Sequence, residues 1–304
     1  MKPTIALIGP GRVGCAITKK LSAAGYQLTA VISRNHQRAV SACEFIGCST
    51  DLATEHLAAA ASADIVIIAV PDDHIHSVTQ QLQRSCEPLN EIPALVHFSG
   101  LHPAAIMSSG SSCNTTLLSL HPLFPFATRE RAYQALNQCP CAIESADSRG
   151  ITLGRELVAA FNGIPFTIDA DKKVLYHAAA CISSNYLVTL MAVARDLLVQ
   201  CGIEKDRAIP LLQPLVHASL NNVENLGPEL GLTGPISRGD TRTVAEHLQA
   251  IEKESPEVLS LYRVMGIHTA QLAADSTRLN QQHADFLREQ LSAENLDTIA
   301  TRGT

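Results

Sequence analysis

Ser99, His121, His177 and Asn185 are the side chains of this sequence whose types and surroundings suit proton transfer and hydrogen bonding to a reacting oxygen or nitrogen. Ser99 follows the apolar run "PALVH", and His121 closes "TTLLSLH". Both therefore stand where a β-strand ends, and in open α/β sheets ligands bind at the carboxyl ends of strands. A histidine near neutral pKa is a natural proton donor there. A third strand end, "AVPDDHIH", presents Val70, Pro71 and Asp72, with a proline that stiffens the loop. The same residues read equally well as a turn into a helix capped by Asp72 or Asp73.

Three glycines, Gly9, Gly11 and Gly14, follow the first apolar run and open a helix-like stretch, so that Pro10, Arg12 and Val13 complete a GPGRVG turn. Glycine at these places allows a tight turn, close approach of a pyrophosphate, and close helix–strand packing, with free N–H groups at a positive helix end. A dinucleotide site is the expectation. The residue that reads the adenosine ribose stands about 20 positions further on, where the chain offers Ser33 and Arg34 and no carboxylate. A guanidinium there suits the 2′-phosphate of NADP, so NADP is the expected cofactor, with Gly9, Pro10, Gly11, Arg12, Val13, Gly14, Ser33, Arg34, Val70, Pro71 and Asp72 around it. No metal is expected: His74 and His76 flank one residue with no third ligand at zinc spacing, and Cys139-Pro-Cys141 fits no zinc knuckle.

On the helical pitch of about 100° per residue, Cys181, Ser184 and Asn185 fall within an arc of about 100° that starts near His177. This polar stripe lies on an otherwise apolar helix, and each of its members needs a partner when buried. It reads as substrate-facing or as satisfied contacts in a subunit seam. Arg238, in the glycine-rich loop "LGPELGLTGPISRGD", could grip a substrate carboxylate, while Asp240 or Thr241 starts the next helix.

The elements that must position these residues alternate through the first half: "TIALIG", "QLTAVIS", "ADIVIIAV", "PALVHFS", "TTLLSL", "PCAIE" and "IPFTID" are strands separated by helical stretches. Such a rhythm predicts a Rossmann-type α/β fold with a doubly wound, mostly parallel sheet. After Ile168 the β-branched runs vanish and long helical patterns follow. The domains are expected at 1–168, binding NADP, and 169–304, an all-helical substrate and dimerisation domain. The first long helix, capped by Asp171, is apolar over most of its circumference and is expected to be buried all round or against a second subunit. A homodimer through this domain follows.

With 23 basic against 29 acidic residues, net charge −6, the chain has no footprint for nucleic acid or anionic membrane. No uninterrupted apolar run approaches the roughly 20 residues of a membrane helix, and no signal-peptide pattern opens the chain, so a cytoplasmic location is expected.

GPGRVG, the "SR" after the second strand, "AVPD", "HFSG", "SLHPLFPFA", "AAACISSNYLVTL" and "LTGPISRGD" together resemble the Rossmann-like bacterial NADP-dependent oxidoreductases with a C-terminal domain of unknown function. Their layout is similar to pyrroline-5-carboxylate reductase, ketopantoate reductase, prephenate dehydrogenase and the 6-phosphogluconate dehydrogenase superfamily. The resemblance implies hydride transfer between NADPH and a C=O or C=N carbon of a small carboxylated metabolite. It places Ser99 and His121 at the serine and histidine of prephenate dehydrogenases, with His121 as proton donor and Ser99 relaying; to these the polar stripe adds His177 and Asn185 as orienting residues and Ser184 on the substrate side, and the glycine-rich loop adds Arg238 as substrate anchor. Relatives with a catalytic lysine carry an asparagine four residues later, and neither Lys172 nor Lys173 does. A non-catalytic NADP-binding sensor or scaffold is the alternative.

Overall fold

The computed structural model describes residues 2–86, 94–108 and 115–292. It comprises two compact units, Met1–Asn185 and Tyr186–Thr304. The strands end at Thr167, beside the change of character at Ile168, and the units part further on.

In the first unit β1 (Thr4–Ile8), β2 (Gln27–Ile32), β3 (Ala53–Thr54), β4 (Ile65–Ile68), β5 (Ala94–His97), β6 (Leu117–Pro122), β7 (Pro140–Glu144) and β8 (Ile164–Thr167) form one sheet, in the order β3-β2-β1-β4-β5-β6-β7-β8. Every pairing is parallel except β6 with β7. This is the Rossmann-type, mostly parallel sheet expected. The strand order reverses between β1 and β4, which opens a crevice at their carboxyl ends.

Side chains alternate across the sheet. Ile5 and Leu7 pack on one face with Ile17 and Leu21 of α1 (Arg12–Ala23), while Ala6 and Ile8 pack on the other with Ile75 and Leu82 of α3 (Asp72–Cys86). Both faces are therefore dry, as parallel strands require. Gly47, in the left-handed region at φ 90°, ends α2 (His36–Ile46), whose first turn is capped by the Asn35 side chain accepting from Arg38 N. The remaining helices of this unit are α4 (Arg129–Ala135), α5 (Ser148–Ala160) and α6 (Lys173–Cys181).

Register fixes which residues share the sheet edge. Ile8 pairs with both Ile32 and Ile68, so the glycine turn, Ser33-Arg34 and Val70-Pro71 leave the sheet at one level. Further along, His97 pairs with Ser119. Two residues on, Ser99 and His121 come off the same edge.

A π-turn, Ile182–Tyr186, separates α6 from α7 (Leu187–Gln200). The second unit continues with α8 (Lys205–Gly231), α9 (Thr241–Glu254), α10 (Leu259–Asp275) and α11 (Gln281–Ser292) around a core of Val244, Leu248, Ala270, Leu287 and Leu291. Asp240 caps α9 by accepting from Thr243 N. Asp171 caps nothing; it pairs with Lys172.

Two features of the first long helix bear on its expected surroundings, burial all round or against a second subunit. Within Ala170–Gln200 an 18-residue window reaches a mean hydropathy of 1.3, so this helical stretch is long and apolar enough to cross a membrane by length and composition. It is also not buried all round: Leu175 is 73% and Val188 69% exposed within the single chain.

Candidate active site

The glycine turn forms one wall of a cavity of about 790 Å³ lined by Gly9, Pro10, Gly11, Ser33, Arg34, Arg38, Val70 and Pro71, among others. Each glycine has its own physical reason. Gly9 is at φ 81°, and a Cβ there would stand 2.8 Å from Ala69 O. Gly14 packs so closely that a Cβ would stand 2.7 Å from Ala69 Cβ. Gly11 differs: the nearest atom to a Cβ there would be Ala69 O at 3.9 Å, so the fold itself does not demand glycine at this position. A bare backbone facing open space is what a pyrophosphate needs. The first helical bond runs from Cys15 N to Gly11 O, leaving the N–H groups of Arg12, Val13 and Gly14 ahead of it at the positive helix end. These residues fit a dinucleotide. Arg38, which sequence spacing did not single out, lines the cavity with Arg34 because it stands on the first turn of α2, next to the β2 end.

Beside this edge two imidazoles converge. A Cβ on Gly100 would lie 2.6 Å from His177 Nδ1 and 2.9 Å from His121 Nε2, so only a glycine leaves both rings their places. The ring centroids are 5.9 Å apart at 82°. His121 Nδ1 shares a hydrogen bond of 2.7 Å with the Tyr176 hydroxyl, which leaves Nε2 facing Gly100. His177 Nδ1 is buried with no hydrogen-bond partner among the described residues, and its Nε2 faces Cys181 Sγ at 3.9 Å. A buried imidazole nitrogen without a partner costs free energy unless something binds there.

Electrostatics separate the two rings. Burial, helped by Lys173 and then His177, pulls the His121 pKa from 6.5 to about 4, so this ring is neutral at pH 7. The expectation of a His121 pKa near neutrality is thereby corrected: a strand end inside the fold desolvates the ring. Burial also raises the Tyr176 hydroxyl above its usual range.

With His177 and not an asparagine one turn on, Lys173 departs from the relatives that carry a catalytic lysine, yet it stands at the site. It is wholly buried, donating from Nζ to Ser119 Oγ at 2.8 Å and to Ser99 O at 3.2 Å. Burial lowers its pKa to about 8, against the pull of Glu144 and Asp72. A lysine at helical spacing from a histidine was the available signal, but its burial depends on the sheet register.

Ser99 serves the loop rather than a substrate. Its hydroxyl donates to Asp72 Oδ2 at 2.7 Å and accepts from Leu101 N and His102 N, so its proton and lone pairs are engaged. Asp72 correspondingly turns its carboxylate to Ser99 rather than standing among the cavity-lining residues, while Val70 and Pro71 just before it do line the cavity. His97 below them is buried, takes Ser99 N on Nδ1, and is held near pKa 3 chiefly by burial.

The π-turn breaks the pitch on which the polar stripe was counted, so the stripe holds for His177 and Cys181 only; Asn185 is exposed and Ser184 half-buried. Arg12 stands outside the cavity lining, with Nη1 directed at Phe126 O. Arg238 closes a short 3-10 turn in the second unit and is exposed. No group of three or more His, Cys, Asp or Glu side chains suited to a metal occurs among the described residues.

Residues 4–89 match the family model described as NADP oxidoreductase, coenzyme F420-dependent. Residues 139–269 match a domain of unknown function, DUF2520. No curated protein matches the sequence significantly. Among solved structures, a Bacteroides fragilis protein described as an NADP oxidoreductase is 20% identical, with a TM-score of 0.71 over 88% of this chain and 98% of its own. A protein from Thermotoga maritima is 25% identical, with a TM-score of 0.67 over 90% of this chain and 99% of its own. The pyrroline-5-carboxylate reductase of Coxiella burnetii shares the fold at 17% identity, TM-score 0.57, over 94% of this chain and 99% of its own. The dinucleotide cavity thus lies in a segment that matches an NADP-oxidoreductase family model, ahead of a C-terminal helical region that matches DUF2520, and the cofactor is NADP.

Proposed function

We propose that this chain is an enzyme that moves a hydride between NADP(H) and the C=O or C=N carbon of a small metabolite, with His121 and His177 holding the reacting heteroatom. The convergence of His121 Nε2 and the partnerless His177 Nδ1 above Gly100 carries the reading. It lies at the sheet edge that also bears the dinucleotide cavity: Pro71 lines the cavity, Asp72 holds Ser99, and Gly100 follows.

The bound dinucleotide supplies or accepts the hydride. The protein's own side chains do the rest. Neutral His121, oriented through Nδ1 by Tyr176, donates a hydrogen bond from Nε2 to the substrate oxygen or nitrogen. His177 exchanges the proton with that atom through Nδ1. The Lys173 ammonium beneath them offsets the negative charge that develops as a carbonyl is reduced. Ser99 and Asp72 keep the intervening loop in place.

We read the exposed apolar side chains of the second unit, Val188 on α7 with Leu211 and Leu215 on α8, as covered by a second copy of the chain. Their exposure of 69%, 54% and 66% is more than scattered surface residues need.

A screen of small keto acids and cyclic imines for NADPH oxidation tests the activity. The reading expects turnover with members of one class and its loss in His177→Asn. NADPH oxidised by the His177→Asn variant at the wild-type rate would remove His177 from the chemistry.

A further inference from the structure

The glycine turn is held from outside by an arginine that no sequence pattern marks. Arg129, the first residue of α4, donates from Nη2 to the carbonyl oxygen of Pro10 at 2.8 Å. In the opposite direction Arg12 Nη1 reaches Phe126 O at 3.4 Å. The two bonds tie the phosphate turn to the segment that links β6, which carries His121, to α4. The Arg129 charge also counters the upward push that burial gives the Cys15 thiol on the first turn of α1.

The need for such a hold follows from the turn's composition. The Pro10–Gly11 peptide is bounded on its amide side by Gly11, which has no close neighbours and whose φ therefore rotates at little steric cost. Rotation would turn the Pro10 carbonyl oxygen away from Arg129 within the cavity wall, and a carbonyl repels a phosphate. In the folded chain both polar atoms of this peptide are engaged: Gly11 N donates to Gly9 O at 2.7 Å, and Pro10 O accepts from Arg129. A turn already in its binding conformation spares the ordering cost at the moment of binding.

Building on the dinucleotide reading above, we propose that Arg129 is a positioning residue for the pyrophosphate: it locks the Pro10–Gly11 peptide and adds positive field at the helix end. Its effect is confined to ligands that carry the pyrophosphate, whereas Arg34 acts on ligands that carry the 2′-phosphate.

Dissociation constants of NADPH, ADP and 2′-AMP, measured by calorimetry on the full chain, separate these roles. Arg129→Gln should weaken NADPH and ADP each about tenfold, the scale of one lost hydrogen bond to a charged donor, and leave 2′-AMP unchanged. Arg129→Lys keeps the charge and one donor and should recover part of the loss; it also decides the matter if the glutamine variant does not fold. Arg34→Gln should show the converse pattern, weakening NADPH and 2′-AMP while sparing ADP. Unchanged NADPH and ADP binding in both Arg129 variants overturns the proposal, as does an equal loss of 2′-AMP binding, which marks general damage. Wild-type protein that binds none of the three ligands overturns the dinucleotide reading itself and this one with it.

Discussion

His177 Nδ1 and His121 Nε2 meet over the bare Cα of Gly100, one nitrogen from α6 and the other from the end of β6. The rings come from segments more than 50 residues apart, since Tyr176, next to His177, bonds His121 across a separation of 55 residues. Their approach depends on the one residue type that lacks a Cβ.

Gly100→Ala should therefore damage catalysis without touching the cofactor. The new methyl would stand 2.6 Å from His177 Nδ1, and one ring must shift. Misplacement of about 1 Å costs about 10²-fold in rate. Steady-state turnover should fall on that scale while NADPH affinity, measured by its fluorescence on binding, stays at the wild-type value.

The two histidines differ in task, and their variants should differ in pattern. His177→Asn removes the proton-exchanging group and should lower kcat by about 10² to 10⁴-fold, the range of general acid catalysis. His121→Asn retains a hydrogen-bond donor and should cost less. Equal losses in the two variants would contradict the division of labour.

The pH profile should carry the signature of Lys173. Burial brings its pKa to about 8, so its charge is present at neutral pH and is lost as pH rises through about 8. Carbonyl reduction should fall over that limb, and Lys173→Met should show a lower rate without it. A limb that persists in Lys173→Met would assign the ionisation elsewhere.

Acid should destabilise the fold through His97 and His121. Both are desolvated, with pKa values of about 3 and about 4 against 6.5 for an exposed imidazole. The unfolded chain takes up protons below 6.5 that the folded chain refuses, so stability is full above that pH and declines as pH falls towards 4. Urea unfolding at pH 7.5 and 5 should show the decline, and His121→Asn should make it shallower.

What could be read from the sequence was local. Gly9, Gly11 and Gly14 lie within one turn, so their pattern announces the turn directly, and the apolar runs announce seven of the eight strands; the two residues of β3 are too short to make a run. What could not be read depends on partners distant in the chain. Ser99 is spent on Asp72, and the burial of Lys173 follows from β5 and β6 closing over it. The polar stripe is broken for a different reason: the backbone winds as a π-turn over Ile182–Tyr186, so the regular helical pitch does not extend to Ser184 and Asn185. Arg38 and Arg129 reach the cofactor cradle from helix starts that the fingerprint does not include.

The central claim is capture of a 2′-phosphorylated dinucleotide at the amino end of α1, with Arg34 and Arg38 on the cavity wall. Calorimetric titration of the purified chain with NADPH and with NADH tests it most directly. The account predicts tighter binding of NADPH and a preference that disappears in an Arg34→Gln, Arg38→Gln double variant. Equal affinity for the two dinucleotides in the wild type, or no binding of either at millimolar concentration, would contradict it.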